Sequence, residues 1–350
     1  ITSKKEDMLA ITGSLALYGM ATAAIDHPLH GSRGFDLDGD GVDDINASTI
    51  SATHYMNLAN LLTTRDNLRQ SSIDTLGLRL GLNFAGGADA SGAPIVLDGS
   101  NVHYLGHSLG AITGINTTTL ANLPLDPMVD PLFRVNAASF AMPGVGVANF
   151  LLESAAFGDV IKASLTLATS EEFQALVAQL YPNGPSEAEL VQAYNLFYDA
   201  LSPEQQGELN GAFSQFAFAA QTVTGSGDPV NYAGMLAMTQ TPTHLIEVVG
   251  NGADNLPDQV IPNAVSSMPL SGTEAAIALL GLSGVSETTE GSGAVRFING
   301  HHGSILDPSA NAASPDVMLS AAATQEMQTQ VTTFFATMGQ LIPVSYTHLR

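Results

Sequence analysis

Gly106-His107-Ser108-Leu109-Gly110 is a G-x-S-x-G pentapeptide. That spacing lets a serine sit on a tight strand-to-helix turn with its hydroxyl raised above a sheet. The residues NVHYL (101–105) before it are predicted to be a strand, and AITGINTTTLA after it a helix. A competing reading is a turn serine that only caps its helix. As a nucleophile Ser108 needs a base, and the base needs an orienting acid, because a free serine hydroxyl reacts poorly. In chains built on this elbow the partners follow in the order Ser, Asp or Glu, His. His27, His30 and His54 precede the elbow, His103 and His107 flank it too closely to reach round, and His244 opens a predicted strand. His301 and His302 remain, directly after AVRFING (294–300), and His302, just before Gly303 and Ser304, is favoured over His301. For the acid, EVVGNGADNLPDQVIP (247–262) offers Asp254 and Asp258 in a loop, with Glu247 inside a strand. Asp258 leads into apolar residues and a turn-fixing proline, and is favoured over Asp254. An acyl-transfer oxyanion also needs two backbone donors. One is expected at the Leu109 amide; the other belongs to a loop after an earlier strand, which would put it at the very start of this chain, at Ile1, or leave it missing altogether.

A second constellation is FDLDGDGVDD (35–44). Asp36, Asp38 and Asp40 alternate, Gly41 permits a sharp turn, and the Val42 carbonyl and Asp44 follow at the seventh and ninth steps. Such oxygen ligands suit a hard cation, calcium above all. Ala47 stands where a helix–loop–helix sensor carries a bidentate Glu. The loop is therefore expected to be a structural calcium site at most, accessory to the chemistry, with a solvated acidic turn as the plainer reading.

These residues need a frame. Apolar runs at RVNAASFAMPG (134–144), THLIEVVG (243–250) and AVRFING alternate with helical stretches at 55–80 and 321–341. That rhythm predicts an α/β chain with a mostly parallel sheet flanked by helices. At the front, Lys4 to Tyr18 reads as a helix and MATAAID (20–26) as a buried strand, an opening that implies earlier strands missing from this chain. Residues 147–235 break the rhythm with successive helices, so the expected organisation is a first core part at 1–146, a helical insert at 147–235 and a second core part at 236–343. The tail VSYTHLR, within 344–350, reads as non-native. Inside the insert, Thr169 with Glu172 and Ser186 with Glu189 have capping-box spacing, and Ser202 precedes Pro203. The insert is either a second core layer or a cap over a pocket.

Composition excludes other classes. With 33 acidic against 10 basic residues the formal charge is -23, which argues against a nucleic-acid partner. The absence of cysteine rules out disulfides, a thiol nucleophile and thiolate metal sites. No signal segment opens the chain and no apolar run has membrane-spanning length.

Five stretches carry a resemblance: AIDHPLHGSRG (24–34), NLANLLTTRDNLRQ (57–70), YLGHSLG (104–110), NGADNLPDQVIPN (251–263) and GAVRFINGHHGSILDP (293–308). With them the chain resembles the extracellular lipases and phospholipases of marine and aquatic gammaproteobacteria, the bacterial virulence-factor lipases. The resemblance implies an α/β-hydrolase fold with a helical cap, and ester hydrolysis of acyl lipids through Ser108, Asp258 and His302. It implies no cofactor for the chemistry, substrate drawn from a membrane or micelle, and a place outside the cell or on a Gram-negative outer membrane. It also implies that the initial ITS follows a His-Gly pair closing a strand. Ile1 would then be the second oxyanion donor and the chain a C-terminal fragment. The residue before the base is often acidic in that family, whereas here it is His301. A carboxylesterase for short soluble esters, or a catalytically silent calcium-stabilised binding module, would be the competing readings.

Overall fold

The computed structural model describes residues 2–88 and 90–345. Short apolar runs become five strands: β1 (His103–His107), β2 (Ala137–Ala141), β3 (Thr243–Val248), β4 (Gly284–Val285) and β5 (Gly293–Phe297). They form one sheet in the order β1-β2-β3-β5-β4, parallel throughout. Every residue of β2 and β3 is buried, as parallel strands covered on both faces require. Side-chain alternation separates two cores. Ala141, Ile246, Val248 and Phe297 meet the helices Leu9–Ala16 and Val317–Ala336 on one face. Phe140, Leu245 and Ala294 meet the helices Leu109–Asn122 and Thr273–Leu280 on the other. The expected mixed α/β architecture, a parallel sheet flanked by helices, is the one observed.

The insert holds the helices Val147–Glu153, Gly158–Thr169, Glu171–Leu180, Glu187–Ala200 and Pro203–Thr224. Phe173, Val177, Ala193, Tyr194 and Phe213 give it a core of its own. The box of Ser186 with Glu189 forms, and Ser202 caps its helix in a reciprocal box with Gln205. Thr169 does not cap. It ends the preceding helix with Oγ1 bonded to the Leu165 carbonyl, and Ser170 caps the next by accepting from the Phe173 amide.

Three further expectations change. Residues 20–26 carry no sheet hydrogen bonds: the run is apolar, but a strand also needs a neighbour, and none lies beside it among the described residues. The last helix begins at Val317, four residues early, because Asp316 caps it through the Met318 and Leu319 amides. The start of the tail is held in place, since Val344 is buried and its amide donates to Thr288 Oγ1 at 3.1 Å. Residues 346–350 and Ile1 lie outside the described residues. No described helix is long and apolar enough to cross a membrane.

Candidate active site

β1 turns into the helix Leu109–Asn122 through Ser108, whose φ of 54° and ψ of −117° are unusual for any residue with a Cβ. Holding such a conformation costs ~1–3 kcal/mol, and it persists only where its surroundings enforce it. Here the Ser108 amide donates to the Ala141 carbonyl at 3.0 Å, and the Tyr104 hydroxyl to the Gly110 carbonyl at 2.6 Å. The first motif glycine is sterically required: a Cβ on Gly106 would stand 2.3 Å from the Gly110 oxygen. Ser108 occupies the N-cap position, yet its side chain makes no capping bond. The hydroxyl is therefore not spent on the helix, which disfavours the capping reading. The Leu109 amide is among the helix-start donors that have no partner within the helix.

The loops after β3 and β5 bring an acid and a base together. His302 Nδ1 donates to Asp258 Oδ2 at 2.7 Å, and the other oxygen of Asp258 accepts from the amides of Val260 (2.8 Å) and Ile261 (3.0 Å). The two alternates lie apart from this pair. Asp254 is exposed, and its bond from Asn251 holds its carboxyl below the usual range. His301 has both ring nitrogens engaged, Nδ1 accepting from the Gly303 amide at 3.1 Å and Nε2 donating to the Ser309 carbonyl at 3.0 Å. Sequence reasoning missed Asn255. Its amide oxygen accepts from the Gly300 N–H (3.0 Å) and its Nδ2 donates to the Gly300 carbonyl (2.9 Å), clamping the acid loop to the base loop. Nothing in the local pattern around Asn255 marks it, because its partner lies 45 residues away.

Ser108 and His302 line one cavity of about 770 Å³. Val147, Phe150, Leu151 and Phe157 of the insert, with Val260 and Ile261 of the acid loop, supply apolar walls. Among the described residues the Ser108 hydroxyl makes no hydrogen bond to His302. In ligand-free sites such bonds are often long and tighten only with substrate.

No residue of the acidic loop at 35–44 lines that cavity. Asp36, Asp38 and Asp40 each place a carboxylate oxygen within 4.8 Å of the others, all exposed. Asp36 also accepts from the amides of Gly39 (2.7 Å) and Gly41 (2.8 Å), which bends the loop round its own carboxylate. This hard-oxygen set could coordinate a divalent metal. Asp44 is not part of it; its carboxylate accepts from the Leu37 amide at 2.7 Å, at the base of the loop beside the Phe35–Ile45 bridge. Val42 enters the network through its amide, which donates to Asp40 at 2.8 Å.

No protein-family model matches the chain, and no curated protein is significantly similar to it.

Proposed function

We propose that the protein is a serine ester hydrolase of the lipase, phospholipase or lysophospholipase type, built on an α/β-hydrolase frame with residues 147–235 as a cap. One observation carries this reading: a backbone-strained serine with an uncommitted hydroxyl opens on the same cavity as His302, whose Nδ1 is held by the buried Asp258. In this scheme His302 Nε2 takes the proton of Ser108 as Oγ bonds to the ester carbon, and the carbonyl electron pair moves onto oxygen. The Leu109 amide receives that oxyanion, and Asp258 holds the imidazole tautomer and stabilises the imidazolium without taking the proton. The C–O bond then breaks, His302 passes the proton to the departing alcohol, and water repeats the sequence on the acyl-enzyme.

The apolar walls drawn from the insert favour acyl chains. A net charge of -23 disfavours anionic membrane surfaces, so neutral or zwitterionic lipids are the expected source of substrate. No step needs calcium; an ion on Asp36, Asp38 and Asp40 would brace the loop alone. Such an enzyme would act outside the cell or on an outer membrane, as the resemblance implies.

Hydrolysis of acyl esters of rising chain length and of lysophosphatidylcholine tests the reading against Ser108→Ala. Rates that rise with chain length and fall ~10⁴-fold or more in the variant are expected. A preference for short soluble esters would shift the assignment to a carboxylesterase. An inert but folded parent would end the catalytic reading.

A further inference from the structure

We propose that His107 is a positioning residue, which sets where the base lands over the nucleophile by donating a hydrogen bond to the main chain of His302. The inference rests on the hydrolase reading above and extends it to a residue outside the triad.

The need for such a tie follows from topology. β1 carries the elbow and β5 carries the base loop, and the sheet order puts β2 and β3 between them. At the usual spacing between neighbouring strands, three steps separate the two by ~14 Å. The loop after β5 must reach back across that distance and stop with the imidazole over Ser108. A misplacement of ~1 Å at this point can cost ~10²-fold in rate. Asn255 ties the base loop to the acid loop, which leaves the distance to the elbow unset.

His107 closes that gap. Its Nε2 lies 2.7 Å from the carbonyl oxygen of His302, and the two rings stand 5.0 Å apart. Among the described residues this is the one hydrogen bond between residues 103–110 and 299–304. A carbonyl can only accept, so Nε2 carries the proton and the tautomer is assigned. The tie joins the residue immediately before Ser108 to the peptide of the base itself, with no intervening segment to add slack. Burial, then the neighbouring His302, push the His107 imidazole down to about 3, so it stays neutral and keeps the same donor at working pH.

The test compares the parent with His107→Phe, His107→Gln and His107→Asn. Gln can present an amide N–H near the position of Nε2, Asn stops one methylene short, and Phe fills the space without a donor. Each is assayed for kcat and KM on an acyl ester, for the rate of Ser108 labelling by a fluorophosphonate, and for melting temperature. The expected result is a kcat and labelling rate lower by ~10²-fold in Phe and Asn at little change in KM, and recovered to within about ten-fold of the parent in Gln. If Phe does not fold, the Gln and Asn pair decides alone. Gln and Asn equally slow, or all variants as fast as the parent, would overturn the tie while leaving the hydrolase reading intact. A parent that is not labelled at Ser108 would overturn that reading instead.

Discussion

At the residue scale, Arg296 gives Nε and Nη2 to the two oxygens of Glu274, at 2.8 and 2.6 Å. Glu247, its register partner across β3 and β5, has an oxygen 2.9 Å from the same Nε. That N–H is aimed at Glu274, however, and neither Glu247 oxygen gains a hydrogen bond. The Coulombic attraction of Arg296 is therefore shared, and burial, reinforced by the nearby Glu274, pushes the Glu247 carboxyl up to about 8. Glu274, bonded to Arg296, moves down. A carboxyl raised in the folded state holds its proton where the unfolded chain has already lost it, so stability falls as pH rises. The contribution of Glu247 is fully present below its ordinary value of 4.5 and is lost as pH climbs through about 8. Melting temperatures of the parent and Glu247→Gln between pH 5 and 9 should diverge, the parent declining and the variant staying flatter. Parallel curves would show that Glu247 ionises in the fold as it does in the open chain.

Asp228 governs at the scale of elements. It is wholly buried, and its carboxylate accepts from the amides of Gly146 (2.9 Å), Val147 (2.6 Å) and Val230 (2.9 Å) and from Gln221 Nε2 (2.9 Å). The first two amides open the insert and Asp228 stands near its end, so one side chain pins both ends of an 89-residue excursion (147–235) to the elbow side of the sheet. Gly146 must be glycine there: its φ is +68°, and a Cβ would lie 2.2 Å from Ser271 Oγ. Replacing Asp228 with Ala strands several buried donors, each costing ~1–3 kcal/mol. Urea unfolding of Asp228→Ala should show a loss of at least ~3 kcal/mol. A change within ~0.5 kcal/mol would mean that water or a shifted helix satisfies those amides.

Over the whole molecule, 33 acidic residues against 10 basic ones repel one another in the compact state. Added monovalent salt should raise the melting temperature by screening that repulsion. Calcium at equal ionic strength should raise it further by binding the folded chain. The increment specific to calcium should vanish in the triple variant Asp36→Asn, Asp38→Asn, Asp40→Asn, while the salt increment persists. Equal effects of calcium and sodium at matched ionic strength would leave the loop as a solvated turn.

What the sequence determined by itself was local. The strand–turn–helix at Ser108 was legible because all three pieces are specified within a short stretch of chain, and Gly106 marks where backbone must pass close to backbone. The Ser186 and Ser202 caps were legible for the same reason, since a cap and its partner lie three residues apart. The α/β class followed from alternating apolar runs. Tertiary structure decided everything that depends on a neighbour. It paired Asp258 rather than Asp254 with His302, engaged both nitrogens of His301 elsewhere, and committed the Asp44 carboxylate to the Leu37 amide, because loops land where the rest of the fold sends them. Among the described residues it left MATAAID without a paired strand, because an apolar run specifies burial but cannot supply the hydrogen-bonding strand beside it. His107 and Asn255 escaped sequence reasoning because their partners are main-chain groups 195 and 45 residues away. A backbone carbonyl leaves no mark in the residue type that carries it.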